Sequence, residues 1–255
     1  MNPSIMLELV RIESGLTNCV HAVKITRSDF DSLRKLGYSV IAYQWLFDPI
    51  TLSPSKRISF YICRDREEAL NYLRKIEKLE KKITKENIKK IIKIEGKLLG
   101  YPKCCIKKFS KLKVAGRSPE KDIIIECIEK EVFYSVLKGY PDPELPEIAY
   151  SLFTTNFYPC KIDCERAVEI GKYLTKYDRR YKYKIVLSVL NLLPPVFEIY
   201  RRFEPKTEFS KLVHSFVRSL HEIKSKADCI VEKIMSDPSK FEVDYLNSVL
   251  SDMHD

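Results

Sequence analysis

Four of the eight cysteines lie in two short segments of similar form. The first segment is GYPKCC, residues 100–105, and the second is FYPCKIDC, residues 157–164. In each segment a Tyr-Pro pair precedes a cysteine, and proline is favoured at the first position of a helix. A cysteine at a helix start lies near backbone N–H groups and the positive end of the helix dipole, which favour the thiolate. Thiolates bind metal ions or attack electrophiles.

The apolar spacing around these cysteines predicts which thiols point inward. A helix starting at Pro102 places Cys105 on an apolar stripe with Phe109 and Leu112. Cys104 instead precedes Lys107 and Lys108, which favour its thiolate. A second helix is predicted from Pro159 to about Tyr177. Its inward face carries both cysteines of the second segment with three small or apolar residues: Cys160, Cys164, Ala167, Val168 and Gly171.

Together these patterns predict one metal site with four thiolate ligands, Cys104, Cys105, Cys160 and Cys164. Four thiolates suit an iron–sulfur cluster, which we favour, or zinc. The spacing matches neither a zinc knuckle nor a ferredoxin run. Because consecutive side chains on a helix diverge by about 100°, one alternative is that Cys104 or Cys105 is spare. The alternative is that all four are small buried hydrophobes.

The two cysteine blocks resemble an archaeal family that is known as domain of unknown function number 483. Its G-Y-P-x-C-C-x-x-x-F block corresponds to Gly100, Tyr101, Pro102, Cys104, Cys105 and Phe109, and its P-C-x-x-x-C block to Pro159, Cys160 and Cys164. The resemblance covers about residues 84–200. It implies an archaeal cytosolic protein and brings no established activity.

The remaining cysteines, Cys19, Cys63, Cys127 and Cys229, stand alone in apolar or mixed runs and are predicted to be core residues. The first ten residues lack the basic and apolar regions of a secretory signal, and no run of about 18 apolar residues predicts a membrane span. We therefore expect a cytoplasmic protein with reduced thiols rather than disulfides. A single glutamine beside abundant Ile, Lys, Glu and Tyr is typical of thermophiles.

The net charge of +10 comes from one segment. Residues 74–113 contain 15 basic residues and 4 glutamates, whereas the rest of the chain carries a net charge of −1. A surface of this kind favours a phosphate-rich partner such as RNA, with Lys103, Lys107 and Lys108 beside the cysteines. The alternative is a solvated Lys/Glu helix of a thermophile.

Two further groups are candidates for binding anions or nucleic acid. Residues 172–184 interleave four tyrosines with basic residues that include Arg179 and Arg180, which suits stacking on unpaired bases. His214, Arg218 and His221 fall on one helix face and suggest an anion pocket, a metal ligand or a general base. The alternatives are tyrosines at the edge of a core and a solvated helix face.

The fold class predicted for this chain is α+β. Residues 1–81 read as a small β-α-β-β-α domain with its helices on one face of the sheet, and residues 82–255 as a mainly helical domain that carries the cysteines. Predicted strands are 20–25, 38–47 (buried) and 58–63, with a fourth at 196–200. Predicted helices include 122–138, 182–193, 209–223 and 228–235.

Three functions follow from these residues. The first is a metal-binding protein, most simply iron–sulfur, whose cationic surface docks RNA. An open iron in its cluster would make it a modification enzyme. The second is a thiol redox or sulfur-carrier protein with Cys104 as the nucleophile, and the third is a non-catalytic RNA-binding module. Nucleotide-binding loops and serine-hydrolase motifs are missing, which argues against those enzyme classes.

Overall fold

A computed structural model describes residues 1–47, 55, 57–139, 144–155 and 157–222. The chain divides into two units, Met1–Pro119 and Glu120–Asp255. The first contains a three-stranded sheet, and the described part of the second is helical, so the predicted α+β class is confirmed. The predicted helix 228–235 and Cys229 lie outside the described residues.

The described part of the first unit contains five helices and three strands. In chain order they are α1 (Pro3–Glu13), β1 (Cys19–Ala22), α2 (Arg27–Lys35), β2 (Ser39–Gln44), β3 (Ile58–Cys63), α3 (Arg66–Glu80), α4 (Lys85–Leu98) and α5 (Lys103–Val114). The strand order is β1-β3-β2, and both pairings are antiparallel. β2 is not the buried strand that its sequence predicts, because its side chains are half-buried or exposed.

Helices cover both faces of this sheet, so the prediction of helices on one face is wrong. Period-2 alternation sends neighbouring β3 side chains to opposite faces. Ile62 packs with residues of α1 and α2, such as Leu9 and Leu33. Tyr61 packs in the other core with residues of α3, α4 and α5. The β-α-β-β-α order predicted from the sequence did not include α1, and this helix packs on one of the two faces of the sheet.

Side-chain caps define most helix starts in this unit. Asp65 caps α3 and Thr84 caps α4. α2 is capped by Thr26 through a capping box with Asp29. α4 and α5 share the core of the sheet. This shared core does not test whether residues 1–81 fold independently. The domain boundary predicted after residue 81 therefore stays a prediction.

His21 is a half-buried strand residue that should make stability sensitive to acid. Burial, followed by the nearby charge of Arg57, lowers its pKa to about 4 from an ordinary value of 6.5, with Glu8 acting in the opposite direction. Between these values the unfolded chain binds a proton that the folded protein does not. Stability should therefore fall as the pH drops from 6.5 toward 4, by about 3 kcal/mol at 1.4 kcal/mol per unit.

Urea unfolding of the wild type and of His21→Phe at pH 7.5 and 4.5 tests this prediction. Phenylalanine keeps a ring against Tyr61, which His21 contacts edge-on with centroids 5.6 Å apart. The variant should lose about 2 to 3 kcal/mol less than the wild type on acidification. An equal loss in both proteins would exclude His21 as the titrating group.

The described part of the second unit is helical. Its elements are α6 (Pro119–Glu129, which begins at the last residue of the first unit), α7 (Val132–Gly139), a 3₁₀ helix (Glu147–Ser151), α8 (Glu165–Tyr177), α9 (Tyr181–Leu190), α10 (Leu193–Arg202) and α11 (Glu208–Glu222). α8 packs closely on the 3₁₀ helix. A Cβ added at Gly171 would collide with the carbonyl oxygen of Tyr150, so this contact requires glycine.

The predictions for the regions of α6, α7 and α10 are wrong in two places. The helix predicted over 122–138 is interrupted at Glu131, whose φ of 54° ends one helix and starts the next. The strand predicted at 196–200 is part of α10. Pro194 and Pro195 lie in the first turn of that helix, where proline is tolerated, rather than acting as a stop.

Among the described residues, one helical stretch, Tyr181–Arg202, is long and apolar enough to cross a membrane by length and composition. The mean hydropathy of its most apolar 18-residue window is 1.2, and 61 % of that window is buried inside the protein. Most of its α9 side chains, including Ile185 and Val189, are buried. We therefore assign this stretch to the core.

Candidate metal centre

The start of α5 fixes the first pair of cysteines. Gly100 ends α4 with a φ of 71°, a left-handed conformation that favours glycine. Pro102 then precedes α5, and Cys104 and Cys105 lie in its first turn. Cys105 is buried and Cys104 is half-buried, so the predicted helix start and inward direction of Cys105 are confirmed.

The two adjacent thiols approach each other closely. Their Sγ atoms are 3.8 Å apart, although neighbouring helical side chains diverge. With a metal–sulfur bond of about 2.3 Å, the edge of a tetrahedral site is about 3.8 Å long. Geometry therefore does not require one cysteine of this pair to be spare, because rotation about the side-chain bonds turns both thiols to one side.

The second pair lies in a turn and not on a helix. α8 begins at Glu165, and Cys164 is its N-cap residue with extended backbone angles. The N–H of Cys164 donates to the carbonyl of Lys161 at 3.0 Å, which closes the turn. The prediction that a helix starts at Pro159 is thus wrong. Cys164 is buried and Cys160 is half-buried.

Two side chains four residues apart, one on α6 and one directly after its end, hold this turn in place. A carboxylate oxygen of Glu126 accepts the N–H of Ile162 at 2.5 Å, and Lys130 Nζ lies 2.9 Å from Asp163 Oδ2. Hydrogen bonds from Lys130 and then Lys161 hold the pKa of Asp163 below its usual range. Sequence analysis did not identify Glu126 or Lys130, because neither belongs to a motif.

Tyr158, just before the turn, is also tied to α6. Its hydroxyl donates to Glu120 Oε1 at 3.2 Å. Burial, and then the charge of Glu120, raises the pKa of Tyr158, so the phenol stays a neutral donor. Two side chains of α6 and one from the residue that follows it thus fix the segment that carries Cys160 and Cys164.

The four predicted ligands form one group. The Sγ atoms of Cys104, Cys105, Cys160 and Cys164 all lie within 4.8 Å of one another. Two of these thiols are buried and two are half-buried. Cys104 and Cys105 lie in the first turn of α5 and Cys164 is the N-cap residue of α8, and at these positions the helix dipole favours anionic sulfur. The cluster is compatible with binding a metal ion such as zinc or an iron–sulfur cluster.

The other described cysteines lie apart from this group. Burial raises the pKa of Cys127, so its thiol is protonated, and its predicted core position is confirmed. Cys19 and Cys63 form a disulfide, so the expectation of reduced thiols is wrong for this pair. The pair is fully buried and lies directly opposite on β1 and β3, with Cα atoms 4.2 Å apart. Such a close cross-strand position brings two thiols within bonding reach.

Glu126 should act as a positioning residue for the metal, because it fixes the backbone between Cys160 and Cys164. Replacing it with alanine should weaken metal affinity about 10- to 100-fold, as loss of outer partners typically does. Glu126→Gln keeps an acceptor oxygen and should retain most of the affinity. Competition with a chromophoric chelator measures both, and Glu129→Ala, an exposed change on the same helix, is the control. Equal affinity in all three variants would refute the role.

The predicted anion-binding residues are distributed over two units. Lys103 and Lys107 are exposed on α5 and Lys108 is half-buried, so this part of the group shares a helix with two cysteines. Arg179 and Arg180 precede α9 and are exposed, and Arg180 pairs with Asp178 at 2.7 Å. Their role in binding anions stays a prediction.

The predicted histidine face lies on α11. His214 Nε2 is 2.8 Å from the carbonyl oxygen of Phe203, and its ring lies against Tyr200 with centroids 4.6 Å apart. One of the two ring nitrogens of His214, Nε2, is therefore already in contact with the backbone of the same unit. Arg218 is exposed on the same helix, and the side chain of His221 lies outside the described residues. A shared anion pocket stays a prediction.

Fold and site together define an α+β protein with a small antiparallel sheet, a helical second unit and a cluster of four cysteines. A family model described as "Protein of unknown function (DUF483)" matches residues 66–194, so the chain belongs to this family. The matched region contains all four clustered cysteines and excludes β1, β2 and β3. No curated protein and no solved structure matches the chain.

Proposed function

We propose that this protein binds one metal ion, with zinc as the best fit, through four thiolates that close a tetrahedral site. The observation that carries the proposal is the mutual approach of the four Sγ atoms to within 4.8 Å. The 3.8 Å separation between Cys104 and Cys105 equals the edge expected of a tetrahedral zinc–thiolate site, about 3.8 Å.

The same distances favour a single ion over the iron–sulfur cluster predicted from the sequence. In a polynuclear cluster the thiolates bind different irons, so the iron–iron separation adds to the distance between their sulfurs. The four Sγ atoms lie within 4.8 Å of one another, which leaves little room for an iron–iron separation between their binding positions. Zinc prefers tetrahedral thiolate coordination, and a lone iron ion is the second choice.

Four protein ligands give the site a structural role. Catalytic zinc keeps a position open for water or substrate, whereas a four-thiolate site is closed. The ion would tie the first turn of α5 to the turn before α8. Zinc with four thiolates carries a net charge of −2, and the two helix starts place positive dipole ends near that charge.

The alternative function is thiol redox or sulfur transfer, in which Cys104 acts as the nucleophile. One observation favours it: Cys104 and Cys160 are half-buried rather than buried, which leaves them open to a small reagent. A redox protein would hold no metal as isolated, and its Cys104 would react rapidly with iodoacetamide at neutral pH. A metal-bound thiolate would react slowly until the metal is removed.

Metal analysis of anaerobically purified protein tests the proposal. We expect one zinc ion per chain and no acid-labile sulfide. Replacement of the metal by Co²⁺ should give the charge-transfer absorption of cobalt–thiolate bonds and the strong visible bands of a tetrahedral ion. Iron with equimolar sulfide would support the iron–sulfur cluster instead. Protein that holds no metal and binds no Co²⁺ would refute a metal centre.

We also propose that the protein works in the cytoplasm. A thiolate metal site requires reduced cysteines, which a cytosol provides. The buried Cys19–Cys63 disulfide is compatible with this location in a hyperthermophile, whose intracellular proteins are often rich in disulfides. Alkylation of the protein in freshly lysed cells, followed by intact-mass measurement, should show one disulfide in the native chain.

A further inference from the structure

The basic excess of residues 74–113 is concentrated on the surface of three helices. The structure describes every residue of this segment, and 13 of its 15 basic side chains are exposed on or beside α3, α4 and α5. Only Lys108 and Lys113 among them are half-buried.

Two of the four glutamates in the segment do not contribute to this surface. Glu80 is buried, where it accepts hydrogen bonds from the hydroxyl of Tyr43 at 2.5 Å and the N–H of Leu46 at 3.1 Å. Glu95 is half-buried and accepts the hydroxyl of Tyr61 at 2.7 Å. Burial raises the pKa of Glu95. The exposed side chains of residues 74–113 therefore include thirteen cations and two carboxylates, a stronger bias than the sequence count indicates.

The lysines of α4 form a regular stripe. Lys85, Lys89, Lys93 and Lys97 recur at every fourth position, all exposed, so their Cα atoms are about 6 Å apart along the axis. α5, which packs on α4, repeats the pattern with Lys103, Lys107 and Lys111. Like charges at this spacing destabilise a helix, so the stripes are not explained by helix stability. One Glu–Lys pair, Glu86 with Lys90 at 2.8 Å, offsets the repulsion.

We propose that this lysine surface of α3, α4 and α5 binds the phosphate backbone of single-stranded RNA. Regularly spaced ammonium groups can follow successive phosphates without reading the bases. Independently of that surface, α8 of the second unit offers rings for unpaired bases: Tyr173 and Tyr177 are 47 % and 53 % exposed, one helical turn apart. Exposed aromatic rings are the groups on which unpaired bases stack. The proposal does not depend on the metal centre.

Fluorescence anisotropy with a labelled single-stranded RNA of 20 nucleotides tests the proposal over a range of KCl concentrations. The variant Lys85→Gln/Lys89→Gln/Lys93→Gln/Lys97→Gln removes the α4 stripe, and α4 carries no cysteine. If all four lysines contact phosphates, the slope of log affinity against log salt should decrease by about 3. Affinity at low salt should fall at least tenfold.

The matched control removes four exposed lysines outside the surface: Lys24→Gln/Lys35→Gln/Lys206→Gln/Lys211→Gln. It has the same net charge as the stripe variant and should bind within about twofold of the wild type, with the same slope. Tyr173→Ala/Tyr177→Ala should weaken binding without a change in slope, because stacking releases no counterions. Thermal unfolding confirms that each variant is folded.

Three outcomes would overturn the proposal: equal affinity and slope in wild type and stripe variant, an equal loss in the control, or tighter binding to duplex DNA than to single-stranded RNA. The RNA-binding measurement is repeated on protein that has been treated with chelator and shown to remain folded. RNA binding that persists in metal-free folded protein separates this surface from the metal centre. Failure here would leave the metal proposal intact.

Discussion

Replacing Cys164 with alanine is expected to abolish metal binding and to remove the stability that the metal supplies. Cys164 is the N-cap residue of α8 and is 4 % exposed, so no water can replace its sulfur without rearrangement. Structural zinc contributes on the order of 10 kcal/mol in small domains that fold around it, and here we expect a loss of several kcal/mol. Cys104→Ala should give the same result if both pairs hold one ion.

Thermal unfolding with and without a strong chelator separates metal loss from packing loss. In the wild type the chelator should lower Tm, because removal of a ligand that binds only the folded state removes its stabilisation. In Cys164→Ala it should have no further effect. Cys127→Ala is the matched control: it deletes a fully buried thiol in the same unit, so it should cost packing energy but keep both metal and chelator sensitivity.

Two other results would contradict the prediction that all four cysteines bind one ion. If Cys164→Ala still binds one zinc ion and still responds to chelator, the ligand set is wrong. If Cys164→Ala loses metal but Cys104→Ala retains it, the second pair binds the ion without the first. That result would return Cys104 to the redox alternative. Equal loss of metal in both variants is the result that the 4.8 Å grouping predicts.

The grouping of the four cysteines was predictable from the sequence because part of its signal is local. A Tyr-Pro pair, a glycine stop and adjacent cysteines specify a helix start at Pro102 without tertiary information. The second segment shares the Tyr-Pro pair, but Cys160 and Cys164 lie in a turn. The difference depends on Glu126 and Lys130, which bind the turn from positions 36 and 33 residues away in the sequence. Contacts between residues so far apart produce no periodic pattern in the sequence.

The errors in the fold have similar causes. The apolar pattern of residues 122–138 continues through Glu131, so nothing in the sequence marks the left-handed residue that divides α6 from α7. A short apolar run such as 196–200 fits a strand or a buried helix equally well. The Cys19–Cys63 disulfide depends on strand register, which places the two residues directly opposite each other. Register is a tertiary property that the spacing of 44 residues does not specify.

Loss of this disulfide should lower the free energy of unfolding by about 4 kcal/mol. The bond joins residues 44 apart, and closing a loop of that length removes conformational entropy from the unfolded chain. Both sulfurs are fully buried, so a reductant reaches them mainly when the protein opens. Equilibrium urea unfolding with and without a phosphine reductant should therefore give two midpoints for the wild type.

The double variant Cys19→Ala/Cys63→Ala identifies the bond responsible. It should unfold near the midpoint of the reduced wild type and should not respond to reductant, because the described residues contain no other disulfide. Its metal content should stay unchanged, since neither cysteine belongs to the cluster. A wild type whose stability is the same with and without reductant would mean that the pair contributes packing alone. The two chemistries of this chain, a disulfide in the sheet and thiolates in the metal centre, are separable because different variants abolish each one.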